Sequence, residues 1–204
     1  MKTLSLLSAL LLAGIAAPMF AQAPAENIAL NKKYTISKQP NYKLCTDEGD
    51  AVQLTDGKFA KGTIWVDKAT VGWYYRAPVA ITVDLEKTAV IGKAIVKTAG
   101  GSAGVTVPDH IYIFAGNDGK TWNYAGKLVN PDAGKKGYRI TKMSLEGIKT
   151  EGRYIRFEVH TGKAYVFIDE VELFATAEKP VAASSENAGI TNTEAFAKDL
   201  SKKK

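Results

Sequence analysis

An all-β sandwich or barrel is the fold class the sequence predicts, on three observations. Apolar and polar residues alternate with a period of two from Asn27 to Ala175. Turn residues interrupt that alternation about every 8–12 residues, the spacing of short antiparallel strands. No long run with a helical period breaks the series, so crossover helices and a parallel sheet are not indicated.

The strands follow in order. Tyr34–Ser37 is the first. Val79, Ile81, Val83 and Leu85 alternate with Ala80, Thr82 and Asp84, which buries one face and wets the other. Ile91–Thr98, His110–Ala115, Trp122–Val129 and Tyr138–Leu145 come next. Ile155, Phe157 and Val159 alternate with Tyr154, Arg156, Glu158 and His160, and Tyr165–Phe174 closes the series. Asn117-Asp118-Gly119 stands between two apolar runs and reads as a hairpin turn, because Asn and Gly tolerate positive φ. Gly100–Gly104 reads as a flexible loop.

Composition agrees with a soluble domain. The chain has 204 residues, 46% hydrophobic and 24% charged, with 18 Gly and 7 Pro as punctuation. The net charge is +6. The lysines are scattered, with no basic stripe and interleaved aromatics, so nucleic acid is not expected as a partner. The single cysteine, Cys45, excludes an internal disulfide framework and reads as buried and inert.

The ends differ from the body. Lys2 and the apolar run Leu4–Ala17 form a positive region and a core too short to span a membrane. Small residues at Ala21, Ala23 and Ala25 follow. Residues 1–25 are therefore expected to be an export signal, cut between 21 and 25, with the protein secreted or periplasmic. An uncleaved N-terminal anchor is the alternative. No transmembrane segment is expected after removal of the signal. The body is 26–175. From Thr176 to Lys204 the composition turns to Ala, Ser, Glu, Asn and Lys. Glu178–Asn192 reads as a disordered linker and Thr193–Leu200 as a marginal helix, too short to persist alone.

Few motifs carry chemistry. Gly119-Lys120-Thr121 lacks the earlier glycine of a phosphate-binding loop and lies in a hairpin. His110 and His160 have no second ligand at metal-binding spacing. No Gly-x-Ser-x-Gly elbow is present. Asp47, Glu48 and Asp50 share one loop and suit a cation, sugar hydroxyls or plain solvation. Trp73-Tyr74-Tyr75-Arg76 is more informative. Flat rings stack on sugar faces, and a guanidinium offers a fork for hydroxyls. Alternation should bury at least one of the three rings and expose at least one.

Six segments in order carry a resemblance. They are Asn27-Ile28-Ala29-Leu30-Asn31-Lys32; Leu54-Thr55-Asp56-Gly57 with Trp65; Ile81-Thr82-Val83-Asp84-Leu85; Tyr112-Ile113-Phe114 through Asp118-Gly119-Lys120-Thr121-Trp122; Gly152-Arg153-Tyr154-Ile155-Arg156-Phe157; and Ile168-Asp169-Glu170-Val171-Glu172-Leu173. Together they resemble the discoidin domain, the coagulation factor V/VIII C-type domain, and are similar to family-32 carbohydrate-binding modules. The resemblance implies an eight-stranded jelly-roll β-sandwich of the galactose-binding-like class. It implies a non-catalytic module that binds through loops at one end. It also implies a structural calcium ion held by Asp56, Thr63 and Glu170, although Lys58 stands where the family has Asn. No sugar-binding residue carries over by motif. Chemistry instead selects Tyr42, Asp47, Trp73, Tyr74, Arg76 and Tyr165, in loops or at strand ends, as ligand-binding residues. Trp122 matches a structural Trp and is left out.

The expected function is an exported, non-enzymatic module that recognises a glycan or polysaccharide. An adhesion domain gripping a cell-envelope protein is the alternative. A small hydrolase is a third reading.

Overall fold

The structure, a computed structural model, describes residues 26–202. The expected export signal lies outside the described residues. The fold is an antiparallel β-sandwich of the galactose-binding-like kind. Its strands are β1 (Tyr34–Ile36), β2 (Val71–Tyr74), β3 (Val79–Gly100), β4 (His110–Gly116), β5 (Asn123–Val129), β6 (Arg139–His160) and β7 (Tyr165–Ala175), followed by helix α1 (Thr193–Lys202).

Two long strands build both layers. The hydrogen-bonded order is β2-β7-β3-β6-β4-β5, with β1 also on β3. The first part of β3, through Asp84, pairs with β1 and with Tyr154–Val159 of β6. After a register break between Asp84 and Ala89, its second part pairs with β7 and with Thr150–Gly152 and Arg139–Glu146 of β6. Each of β3 and β6 thus joins two runs that the sequence reads as separate strands. Arg153 clamps this corner. Its Nε and Nη2 donate to Asp84 Oδ1 and Oδ2 at 2.7 and 2.8 Å. The bidentate pair holds the Asp84 carboxyl below its ordinary value. β2 lies outside the runs that the alternation predicts; the sequence places Trp73 and Tyr74 in loops or at strand ends.

The main core lies between the layers. Leu54, Trp73, Ile81, Val83, Val96, Ile111, Phe157, Ile168 and Leu173 are all buried in it. Asn27 ties the start of the body to its last strand: its Oδ1 accepts from Leu173 N and Ala29 N, both at 3.0 Å.

The segment that the sequence reads as a disordered linker is tied to the body, and the helix expected after it is present. Val181 N donates to Lys149 O, and Ile190 exchanges both backbone hydrogen bonds with Trp122. Helix α1 then lies on the outer face of the β4–β6 region. Ala197 is buried there, and Phe196 packs edge-on against Phe114 at 5.9 Å between centroids. Tertiary burial supplies what a ten-residue helix lacks alone. The tail also explains why polar positions of the alternating strands are buried. Glu158 accepts from Arg156 and from Thr193, and Arg156 reaches Thr82. No helix of the described residues is long and apolar enough to cross a membrane.

Candidate functional site

One end of the sandwich carries an open aromatic cleft. It is built where the loop at residues 39–46, the end of β2 and the start of β7 meet. Val71–Tyr74 pairs with Tyr165–Ile168, which sets Tyr74 directly opposite Tyr165. Their rings stack with centroids 5.1 Å apart and planes 27° from parallel. Tyr42 meets Tyr165 edge-on at 5.8 Å and Phe167 at 4.8 Å. Asn41, Lys43 and Leu44 complete a cleft of about 400 Å³.

The rings are held, not merely adjacent. Asn41 Nδ2 donates to Tyr74 O at 3.1 Å, and Asn41 Oδ1 accepts from Tyr74 N at 2.8 Å. Tyr75 turns the chain at φ +51°, a conformation costly for a residue with a side chain. Its N–H donates to Ala164 O at 2.6 Å. The strain projects a ring that is 74% exposed beside Tyr74, which is 43% exposed. Below the cleft, Gly72 lets the loop approach: a Cβ there would lie 2.6 Å from Cys45 Sγ. Burial pushes the Cys45 thiol up to about 12, so it stays protonated and unreactive.

The structure joins three of the six expected ligand residues, Tyr42, Tyr74 and Tyr165, in this cleft. Trp73 is corrected: it is 0% exposed, in the main core, with Nε1 donating to Lys38 O. Alternation along β2 turns it inward as Tyr74 turns outward. Asp47 is also corrected. It caps a 3-10 turn (Glu48–Ala51), accepting from Gly49 N and Gln53 Nε2, and faces a different cleft across the 39–46 loop. Arg76 is exposed one residue beyond Tyr75, outside the cleft lining. Asn41 and Tyr75 were not selected from the sequence. The Trp-Tyr-Tyr run is a signal for Tyr75; nothing local signals Asn41.

Of the three residues implied as calcium ligands, Asp56 and Glu170 lie close enough for their charges to interact. Glu170 is fully buried on β7, with Oε1 accepting from Gly57 N at 3.2 Å and Oε2 without a partner. Burial pushes its carboxyl up to about 8, and the charge of Asp56 adds to this. Such an orphaned oxygen beside a second carboxylate fits a hard, oxygen-ligated cation. Thr63 is exposed and precedes a 3-10 turn (Ile64–Val66), whose Ile64 N donates to the Tyr138 hydroxyl. Lys58 places its ammonium 3.4 Å from Asp56 Oδ2. Among the described residues, no group of three or more His, Cys, Asp or Glu is arranged to hold a metal.

The model of the F5/8 type C domain family matches residues 35–171. Among solved structures, the lectin binding domain of lectinolysin, complexed with Lewis b, superposes with a TM-score of 0.56 at 21% identity, covering 76% of this chain and 100% of that one. A Streptococcus pneumoniae fucose binding module gives 0.53 at 22% identity over 76% and 99%. A fucolectin from striped bass (Morone saxatilis) serum gives 0.54 at 17% identity over 76% and 52%. At these identities the likeness is one of fold. No curated protein matches the chain in sequence. The chain belongs to the F5/8 type C domain family.

Proposed function

We propose that this F5/8 type C domain is an exported, non-catalytic module that recognises carbohydrate at the tyrosine cleft. The observation that carries the reading is the open stack of Tyr74 and Tyr165, with Tyr42 at its side. A sugar ring laid on the exposed face of Tyr74 presents axial C–H bonds to the ring. The three phenol hydroxyls, Lys43 and the polar backbone of the 39–46 loop supply hydrogen bonds to hydroxyls. The site is shallow, so much of the sugar stays in water and single-site affinity is low. Solved relatives of the same fold are named as glycan binders, which agrees with the reading.

A glycan array tests it. The protein is expected to be retained on a defined sugar class, and Tyr74→Ala to lose that retention with its fold intact. A folded protein that binds no glycan at millimolar sugar overturns the reading.

A second reading is favoured by one observation: Leu44 is 56% exposed at the cleft edge and no carboxylate lines the cleft. An apolar loop tip of this kind suits adhesion to a cell-envelope protein. Binding of one protein partner, indifferent to competing sugars, would establish it.

Structural calcium remains a proposal on Asp56 and Glu170. Bound there, the ion would neutralise the buried carboxylate and displace the Lys58 ammonium. Thermal denaturation with calcium and with chelator tests it; an equal Tm in both conditions rejects it.

A further inference from the structure

A second cleft lies on the far side of the 39–46 loop, lined by residues that the tyrosine site does not use. Its volume is about 550 Å³. Tyr34, Ile36 and Pro40 form apolar walls, and Asp47, Glu48 and Asp50 supply carboxylates. An acidic cluster alone signifies little. Here the decisive group is Asp50. It lines the cleft and is only 7% exposed, and its Oδ1 has no hydrogen-bond partner among the described residues. Beside it, Gln53 is 6% exposed, with Nε2 spent on Asp47 Oδ1 and Oε1 left without a partner. Thr46 Oγ1 is buried and unpartnered too.

The turn that holds Asp50 is tightly built. A Cβ on Gly49 would lie 2.4 Å from Gln53 Nε2 and 2.9 Å from Asp47 Oδ1. The Tyr34 hydroxyl donates to Asp50 O at 2.6 Å. Lys68 is the cation facing this turn: its Nζ is 3.6 Å from Asp47 Oδ2 and donates to Thr46 O. It pairs with Asp47, and its charge reaches Asp50 only at longer range. Burial and the Asp47 charge push the Asp50 carboxyl up to about 6. A buried carboxylate without a partner costs stability, and an incoming cation offsets that cost. The apolar walls of Tyr34, Ile36 and Pro40 beside these carboxylates suit a protonated amine carried on a ring whose C–H face can lie against them.

We propose that this cleft binds the protonated amine of a free-amine hexosamine, with Asp50 as its counter-ion. The choice of an amino sugar rests on the carbohydrate reading, because the 39–46 loop is shared by both clefts.

Calorimetry with glucosamine, N-acetylglucosamine and glucose tests this on the wild type, Asp50→Asn and Tyr74→Ala. The wild type is expected to prefer glucosamine about tenfold, the size of one charge-assisted hydrogen bond. Asp50→Asn should abolish that preference, keep the affinity for the neutral sugars, and melt no lower than wild type. No amine preference in the wild type overturns the inference. So does a preference that survives in Asp50→Asn, or one lost in Tyr74→Ala but not in Asp50→Asn. Neutral sugar binding without amine preference rejects this inference and leaves the proposed function standing. Asp50-dependent glucosamine binding without neutral sugar binding does the reverse.

Discussion

Two aromatic clusters of similar composition sit on this domain, and they meet opposite fates. Under the tail, Tyr112, Phe114, Trp122 and Tyr124 are covered by Ile190, Phe196 and Ala197. At the loop end, Tyr42, Tyr74, Tyr75 and Tyr165 are held by backbone and by Asn41, and no described segment lies over the exposed rings of Tyr74 and Tyr75. The first cluster is satisfied within the chain. The second keeps hydrophobic surface in water, which a protein retains at a cost and which the proposed recognition would use. Exposure, more than residue type, separates packing from recognition.

The comparison predicts graded outcomes. Trp73→Ala removes a fully buried ring from the shared core and should cost about 3–5 kcal/mol, visible as a large drop in denaturant midpoint. Deleting residues 177–204 uncovers the first cluster. The loss should be about 3 kcal/mol, with new binding of a hydrophobic dye; an unchanged midpoint would break the contrast between the clusters. Tyr74→Ala should leave the midpoint within about 0.5 kcal/mol while weakening glycan binding about tenfold or more, since aromatic contacts dominate such sites.

Two smaller effects sharpen the picture. Glu170 has its folded value raised to about 8 from an ordinary 4.5. Its contribution to stability is therefore full below the ordinary value and is lost as pH rises through 8. In chelator, Tm should fall between about pH 5 and 8, and Glu170→Gln should flatten that fall. Asp50 and Asp169 shift in the same direction, so the fall is not abolished. Last, Asp47→Asn should change neutral-sugar affinity by less than about twofold, because Asp47 faces the other cleft.

The strands were legible because period-two alternation survives even where both faces are covered. What the alternation concealed was continuity. Asp84 and Arg153 lie in separate motifs, and only in space do they clamp the corner that fuses four predicted runs into β3 and β6. The Trp73–Tyr75 run was read correctly as part buried and part exposed, but which ring turned inward depended on the register of a four-residue strand. The tail was illegible for a related reason. Its anchors, Ile190, Thr193, Phe196 and Ala197, are too few and too spaced to stand out from a polar segment. Asp47 looked equivalent to Tyr42 in sequence, yet the loop between them turns the two onto opposite sides.

Chemical-shift mapping tests the central claim most directly. The sugar retained best on the array would be titrated into ¹⁵N-labelled protein. The account predicts shifts concentrated at Asn41–Leu44, Tyr74–Tyr75 and Lys163–Tyr165, with residues under α1 unmoved. Shifts centred elsewhere on the domain would contradict it.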